Sequence, residues 1–206
     1  MMTEPILHDD WAFSALYELF ASATHDASAA MCRWTNGLIT VTLERVREIS
    51  LENISDELQI GDELLTMVVL SIDGEVGGNL ILLFDDVNAR QLAASLLGRG
   101  PGTEPEWSDL EKSALTETGN IFGCAYINAL VRLIGTDLMP SAPYFIQDYG
   151  ASVLQQAIMT QALTSDRLLV CQIGFRHRDR QLDWRVVFVP TRGMQEAMQR
   201  SIHAAT

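Results

Sequence analysis

An internal repeat is the feature that most constrains the fold of this chain. Residues 14–18 read Ser-Ala-Leu-Tyr-Glu, and residues 113–117, which lie 99 positions later (113 − 14), read Ser-Ala-Leu-Thr-Glu. Both copies stand inside helical apolar patterns, and the same order of elements follows each: an extended segment, two strands joined by a turn, and a short helix. Two similar units in tandem predict a domain with pseudo-twofold symmetry.

Turn and cap signals mark the elements of the first unit. The strands and the short helix predicted after its long helix cover residues 39–49, 65–72, 79–84 and 87–97. The segment Asp73-Gly74-Glu75 separates two apolar runs, which indicates a β-hairpin. Asp86 is the expected N-cap of the short helix, and Gly98 is its expected C-terminal stop. In the first strand, alternation predicts that Val41 and Ile49 share a face.

The second unit carries the same kinds of signal. Ser108 and Glu111 form a predicted capping box for a long helix that runs to about Ile134 and is ended by Gly135. The elements predicted after it are strands at residues 168–175 and 184–189, around a turn at 177–180, and a terminal helix at about 193–202.

A segment rich in glycine and proline, residues 99–107, separates the two units and is predicted to be a linker. Residues 98–102, at its start, spell GxGxG, but a helix precedes them and no nearby lysine or acidic ribose partner completes a nucleotide motif, so no phosphate site is expected there. We predict a single domain over residues 1–206, with a first repeat at about 10–98 and a second repeat at 108–206.

The net charge of the chain argues against two classes of binding partner, nucleic acids and acidic lipid surfaces. The formal net charge is -13, from 27 acidic and 14 basic residues. Nucleic-acid backbones and acidic lipid surfaces repel such a chain, so neither is an expected partner. The sequence has no apolar run near the roughly 20 residues of a spanning helix and no signal-peptide pattern at its N-terminus. Its three cysteines, Cys32, Cys124 and Cys171, suit reduced thiols. We therefore expect a cytoplasmic protein.

The long helix of the second unit has two different faces. At 100° per residue, its core side is predicted to carry Leu115, Phe122, Tyr126, Ala129 and Leu133, and its opposite side Ser113, Glu117, Asn120 and Cys124. Spacing alone favours the solvated face of an amphipathic helix over a functional site. However, Asn120 is a poor helix-interior residue and Gly119 costs about 1 kcal/mol relative to Ala, so each is expected to have a packing or functional reason.

The polar face carries a family motif. Ser113-x-x-x-Glu117-x-x-Asn120, followed after a gap by Pro143, resembles the signature of the CheC, CheX and FliY chemotaxis phosphatases. Residues 117–121, Glu-Thr-Gly-Asn-Ile, also match the Glu-x-Gly-Asn-Ile phrasing of that family. The resemblance extends over nearly the whole chain and is looser in the N-terminal third. It implies an α/β (α+β) fold in which two helix-plus-β-strand units share one sheet, with two long helices side by side on it.

The resemblance also implies an activity, hydrolysis of the aspartyl phosphate of a CheY-like response regulator. Asn120 would orient the attacking water, and Glu117 would dock on the active-site lysine of the regulator. Ser113 and Pro143 would support them, Pro143 by shaping the entry to the next strand. The chain is expected to need no cofactor of its own, and Mg²⁺ is expected on the phosphorylated regulator.

The first unit lacks most of this site. At the same offset Glu18 is present, but Ala21 stands where Asn120 maps and Glu44 stands where Pro143 maps. Alanine has no group that can hold a water. The sequence therefore predicts one active face per chain and a degenerate first site.

Nucleophilic and metal chemistry are not indicated. Cys124 has no basic neighbour to lower its pKa, so it is expected to be a small packing residue. The four histidines are scattered, and no metal site of the chain itself is predicted.

Two other functions fit the sequence. A CheC-like adaptor would bind a response regulator, a CheD-like protein or a flagellar switch component without turning phosphate over, and it would tolerate the loss of Asn120. A small-molecule sensor built on the same sheet would need an enclosed apolar pocket.

Overall fold

The computed structural model describes residues 10–58, 60–61, 63–100, 106–152, 155–156, 159, 167–177 and 180–204. The helices whose bounds are described are α1 (Asp10–Trp34), α2 (Ile54–Leu58), α3 (Asp86–Leu96), α4 (Asp109–Ile134) and α5 (Arg192–Ala204). The strands are β1 (Ile39–Ser50), β2 (Leu64–Ile72), β3 (Gly78–Phe84), β4 (Tyr144–Tyr149), β5 (Arg167–His177) and β6 (Arg180–Pro190). A 3₁₀ turn, Leu51–Asn53, leads into α2.

The strands form one antiparallel sheet in the order β1-β5-β6-β3-β2-β4. If β1, β2 and β3 are exchanged with β4, β5 and β6, respectively, the order is simply reversed. The set of neighbouring pairs therefore stays the same, as expected for two equivalent units. β1 of the first unit therefore pairs with β5 of the second, and β4 of the second unit pairs with β2 of the first. The predicted fold, in which two helix-plus-strand units share one sheet, is confirmed.

α1 and α4 lie side by side on one face of this sheet. The Asp26 carboxylate of α1 forms an ion pair with the Arg132 guanidinium of α4. Aromatic side chains fill the space between the helices and the sheet, and the fully buried ones are Phe20, Phe84, Phe122, Tyr126, Phe175 and Phe188. Burying a side chain of this size contributes up to about 3 kcal/mol, so these aromatic side chains contribute strongly to the stability of the fold.

A second apolar cluster covers the opposite face of the sheet. It contains Met67 and Val69 of β2 together with Val187 of β6. β2 is buried on both faces from Leu65 to Leu70. Apart from the buried Thr66, its sequence there is therefore apolar and does not alternate.

Local cap signals place the helix ends. The capping box of Ser108 and Glu111 and the left-handed Gly135, at φ 67°, bound α4 as predicted. At α3 the predicted N-cap is wrong by one residue. The side chain of Asp85 accepts the hydrogen bond from the Asn88 amide at 2.9 Å, because Asp86 is already helical and pairs one turn later with Arg90.

β1 contains a β-bulge that the sequence alternation did not reveal. The pairing of β1 with β5 shifts register between Leu43 and Arg45. Val41 faces the helices, whereas Ile49 belongs to the apolar cluster on the other face of the sheet. The prediction that Val41 and Ile49 share a face is wrong, because one extra residue in a strand reverses its alternation.

Parts of two predicted turns lie outside the described residues. His177 and Arg180 pair as strand residues, so β5 and β6 extend further than predicted, and positions 178–179 are not described. Positions 101–105 are also outside the described ranges, so the linker and the repeat boundaries stay a prediction. In the part of the chain that is described, no helix has the length and apolar character needed to cross a membrane.

Candidate functional site

α4 presents the predicted polar stripe on its outer face. Ser113 and Glu117 are exposed, and Asn120 and Cys124 are half-buried. Four of the five residues predicted for the core side are buried, namely Leu115, Phe122, Tyr126 and Ala129. Leu133 is an exception at 38 % exposure, and Ile134 takes the buried position in that last turn. The helix therefore brings Ser113, Glu117 and Asn120 onto one surface, as their spacing predicts.

Two glycines seat α4 closely against β2. A Cβ added at Gly119 would overlap Cγ1 of Val68 and stand 3.2 Å from its Cβ. A Cβ added at Gly123 would stand 2.5 Å from Cδ2 of Leu70. Gly119 therefore serves packing, and it fixes how high the neighbouring Asn120 stands above the sheet.

Glu117 and Asn120 differ in their surroundings. Within the described ranges, the Glu117 carboxylate has no ion pair or hydrogen bond, and so it is free to bind a partner's cation. The Cys124 thiol, one turn after Asn120, donates to Oδ1 of Asn120 over 3.4 Å. Burial, and to a smaller extent the Glu117 carboxylate, raise the pKa of that thiol. Cys124 is therefore protonated at neutral pH, which is the opposite of an activated nucleophile.

Pro143 lies on a different element from the other predicted residues. It is half-buried and directly precedes β4, whose first residue, Tyr144, pairs with Val69 of β2. The preceding loop is tied to the same strand, because the Ser141 amide donates to the Ser71 carbonyl at 2.7 Å. Pro143 is thus connected to α4 through β2, the strand on which Gly119 rests.

The mapping of Pro143 onto Glu44 is wrong. Glu44 lies inside β1 at the bulge, whereas Pro143 precedes its strand. The offset of 99 does hold to the ends of the long helices, where Asn36, at φ 52°, corresponds to Gly135. Beyond that point the second unit has a longer loop, so a constant offset fails.

The first unit presents a different surface at the equivalent position. Glu18 is exposed and Ala21 is half-buried on α1. Phe20, which takes the place of Gly119, is 0 % exposed and meets the ring of Phe188 edge to face at 6.0 Å. At this position a large core side chain therefore lies between α1 and the sheet, whereas Gly119 lets α4 contact the sheet directly.

Trp34 was missed by the sequence analysis. Its indole N–H donates to Oγ1 of Thr118, the residue after Glu117, over 3.4 Å. It remains 37 % exposed. This contact joins two helices that are far apart in sequence, and neither helix alone carries a signal for it.

A cleft of about 220 Å³ opens between the end of α1 and α3. Its lining mixes apolar side chains such as Leu38 and Leu92 with the polar side chains of Asn36, Asn88 and Gln91. It is not the enclosed apolar pocket that a small-molecule sensor would need. Among the side chains that are described, no group of three His, Cys, Asp or Glu residues could hold a metal ion.

Comparison with known proteins adds relatives in sequence and in fold. No protein-family model matches the chain. It is 25 % identical over 150 residues to the CheY-P phosphatase CheC of Bacillus subtilis, covering 72 % of this chain and 71 % of the relative. The structure superposes on FliY of Thermotoga maritima with a TM-score of 0.75 at 15 % identity, covering 97 % of this chain and 100 % of that one.

A second solved structure has the same fold. A chain of the CheX–CheY–BeF₃–Mg²⁺ complex of Borrelia burgdorferi gives a TM-score of 0.53 at 17 % identity, covering 84 % of this chain and 97 % of that one. The chain is thus similar in sequence to CheC and shares its fold with FliY and CheX, which supports the resemblance that its α4 motif indicates.

Proposed function

We propose that the chain hydrolyses the aspartyl phosphate of a CheY-like response regulator through the α4 face formed by Ser113, Glu117 and Asn120. The observation that carries the proposal is the presence on one helix of an exposed carboxylate, which has no ion pair among the described residues, and a carboxamide one turn away. The name of the Bacillus subtilis relative, a CheY-P phosphatase, supports the same reaction.

Asn120 supplies the catalytic group in this proposal. An aspartyl phosphate is an acyl phosphate, and its hydrolysis needs a water held in line with the bond that breaks. A carboxamide can accept a hydrogen bond from such a water and fix its direction of attack, which contributes mainly through orientation. Mg²⁺ is assigned to the regulator, where it would neutralise charge on the phosphoryl oxygens.

Glu117 and Ser113 position the two proteins. The Glu117 carboxylate is exposed and would form a charge-assisted hydrogen bond with the active-site lysine of the regulator. Docking through Glu117 sets the register of Asn120, which lies three residues further along the same face. Ser113 is exposed one turn before Glu117 and would line the edge of the contact.

The scaffold beneath the site supports the proposal. The capping box fixes the start of α4, and Gly119 and Gly123 hold the helix against β2. Pro143 would stabilise the entry to β4 beside β2. A catalytic amide needs its position held to a fraction of an ångström, and rigid elements provide this better than loops.

The reaction is placed in the cytoplasm, in keeping with the free thiols of Cys32, Cys124 and Cys171. The alternative function is that of an adaptor, which binds a regulator or a flagellar switch component without hydrolysing the aspartyl phosphate.

A CheD-like protein stays a predicted partner for both the phosphatase and the adaptor.

Turnover at substoichiometric amounts of the chain tests the proposal. A phosphorylated CheY-like regulator with Mg²⁺ is mixed with the wild-type chain, with Glu117→Gln and with the matched control Glu18→Gln. We expect faster dephosphorylation with the wild type and with Glu18→Gln, and a raised KM with Glu117→Gln. Binding without any acceleration by the wild type would contradict the proposal and favour the adaptor.

A further inference from the structure

Cys124 makes a contact that the family motif does not include. Its Sγ lies 3.4 Å from Oδ1 of Asn120, one helical turn away, and both side chains are half-buried. Within the described part of the chain, this is the one hydrogen bond that the Asn120 carboxamide makes. Because the Cys124 thiol donates to the oxygen of the amide and not to its NH₂ group, it favours one of the two orientations of the amide.

The chemistry of a thiol suits this task. A protonated thiol is a weak donor, and it occupies one of the two lone pairs on Oδ1. The second lone pair stays available for a water, as do both N–H donors. If the amide rotated by half a turn, its NH₂ group would face the thiol, and the S–H···O bond would be lost.

We propose that Cys124 is a positioning residue, which holds the Asn120 carboxamide in the one orientation that presents Oδ1 to the attacking water. This inference rests on the proposed phosphatase function. Cys124 itself touches neither the water nor the phosphoryl group and undergoes no covalent step.

Variants at Cys124 separate positioning from packing. Cys124→Ala removes the donor, and Cys124→Ser replaces it with a hydroxyl of similar size. A net hydrogen bond of this kind is worth roughly three- to tenfold in an equilibrium, so we expect kcat to fall by about that factor in Cys124→Ala, with KM unchanged. Cys124→Ser should recover most of kcat. Cys32→Ala, at a half-buried cysteine on α1, is the control and should match the wild type.

A second readout does not depend on turnover. The ¹⁵N order parameter of the Asn120 side-chain amide, measured on the isolated chain, should fall in Cys124→Ala and not in Cys32→Ala, while Tm changes little. An unchanged order parameter, or wild-type kcat in a folded Cys124→Ala, would overturn the inference. A wild-type chain that binds the regulator without accelerating dephosphorylation would instead contradict the proposed function, and the order parameter would still decide whether Cys124 holds the amide.

Discussion

Gly119 of α4 lies directly over Val68 of β2, so closely that a Cβ at this position would overlap the valine side chain. We expect Gly119→Ala to lower the free energy of unfolding by about 1 to 2 kcal/mol, because overpacking against a stiff β-branched residue outweighs the gain in helix propensity. Urea unfolding measures this.

Asn128→Ala is the control for that substitution, because Asn128 is exposed on the same helix. It should change stability by no more than about 0.5 kcal/mol. A Gly119→Ala variant more stable than the wild type would show that α4 does not need its close approach to β2.

The capping box predicts a loss of stability in acid. The Ser108 hydroxyl, which donates to Glu111 at 2.6 Å, holds the pKa of Glu111 below its usual value of 4.5. The Ser108 amide and the Arg99 guanidinium act in the same direction against the opposing effect of burial. Because the folded state depresses this pKa, the contribution is fully present above about pH 4.5 and is lost as pH falls through the folded value.

Glu111→Gln tests this assignment. The free energy of unfolding of the variant should be lower than that of the wild type at pH 7, and the difference should shrink between pH 4.5 and pH 3. Parallel curves for the two proteins over this range would show that Glu111 does not carry the effect.

The buried pair of Tyr126 and Cys171 predicts a loss of stability in alkali. Their Oη and Sγ atoms lie 3.3 Å apart. Burial raises the pKa of Cys171 to about 12 and that of Tyr126 well above its usual value. Since the folded state raises both, their contribution is present at neutral pH and is lost as pH rises above about 9, the usual pKa of a thiol.

The reactivity of Cys171 towards a thiol reagent such as Ellman's reagent follows from the same burial. At pH 8 the native protein should leave Cys171 unmodified, and urea should expose it. Peptide mapping after labelling identifies the site. Labelling of Cys171 in the native protein at the rate of the unfolded chain would contradict its burial.

The first unit is expected to stay inactive even with its missing amide restored. Ala21→Asn adds a carboxamide to α1, but the neighbouring Phe20 is packed in the core, so the helix is seated differently from α4 at Gly119. In an Asn120→Ala background, Ala21→Asn should leave dephosphorylation at the rate of the regulator alone. Recovery of turnover in the double variant would show that the first face needs nothing more than the amide.

Local signals explain what could be predicted from the sequence. The bounds of α4 follow from Ser108, Glu111 and Gly135, which act within one or two turns, and the polar stripe follows from helical spacing. The bulge in β1 and the longer loop before Pro143 depend on pairing between distant strands, so a constant offset missed both. The contacts of Trp34 with Thr118 and of Gly119 with Val68 arise only when separate elements pack together.

Asn120→Ala provides the most direct test of the central claim. The wild type and the variant are compared in two assays: the decay of the phosphorylated regulator with Mg²⁺, and binding to the same regulator held in a phosphoryl-like state with beryllofluoride. Removing one preorganised polar group from a transition state costs about 100-fold or more in rate. We predict that kcat falls by at least this factor while the Kd for the regulator stays within about twofold of the wild type. Equal dephosphorylation by both proteins would contradict the assignment of Asn120 as the residue that orients the attacking water.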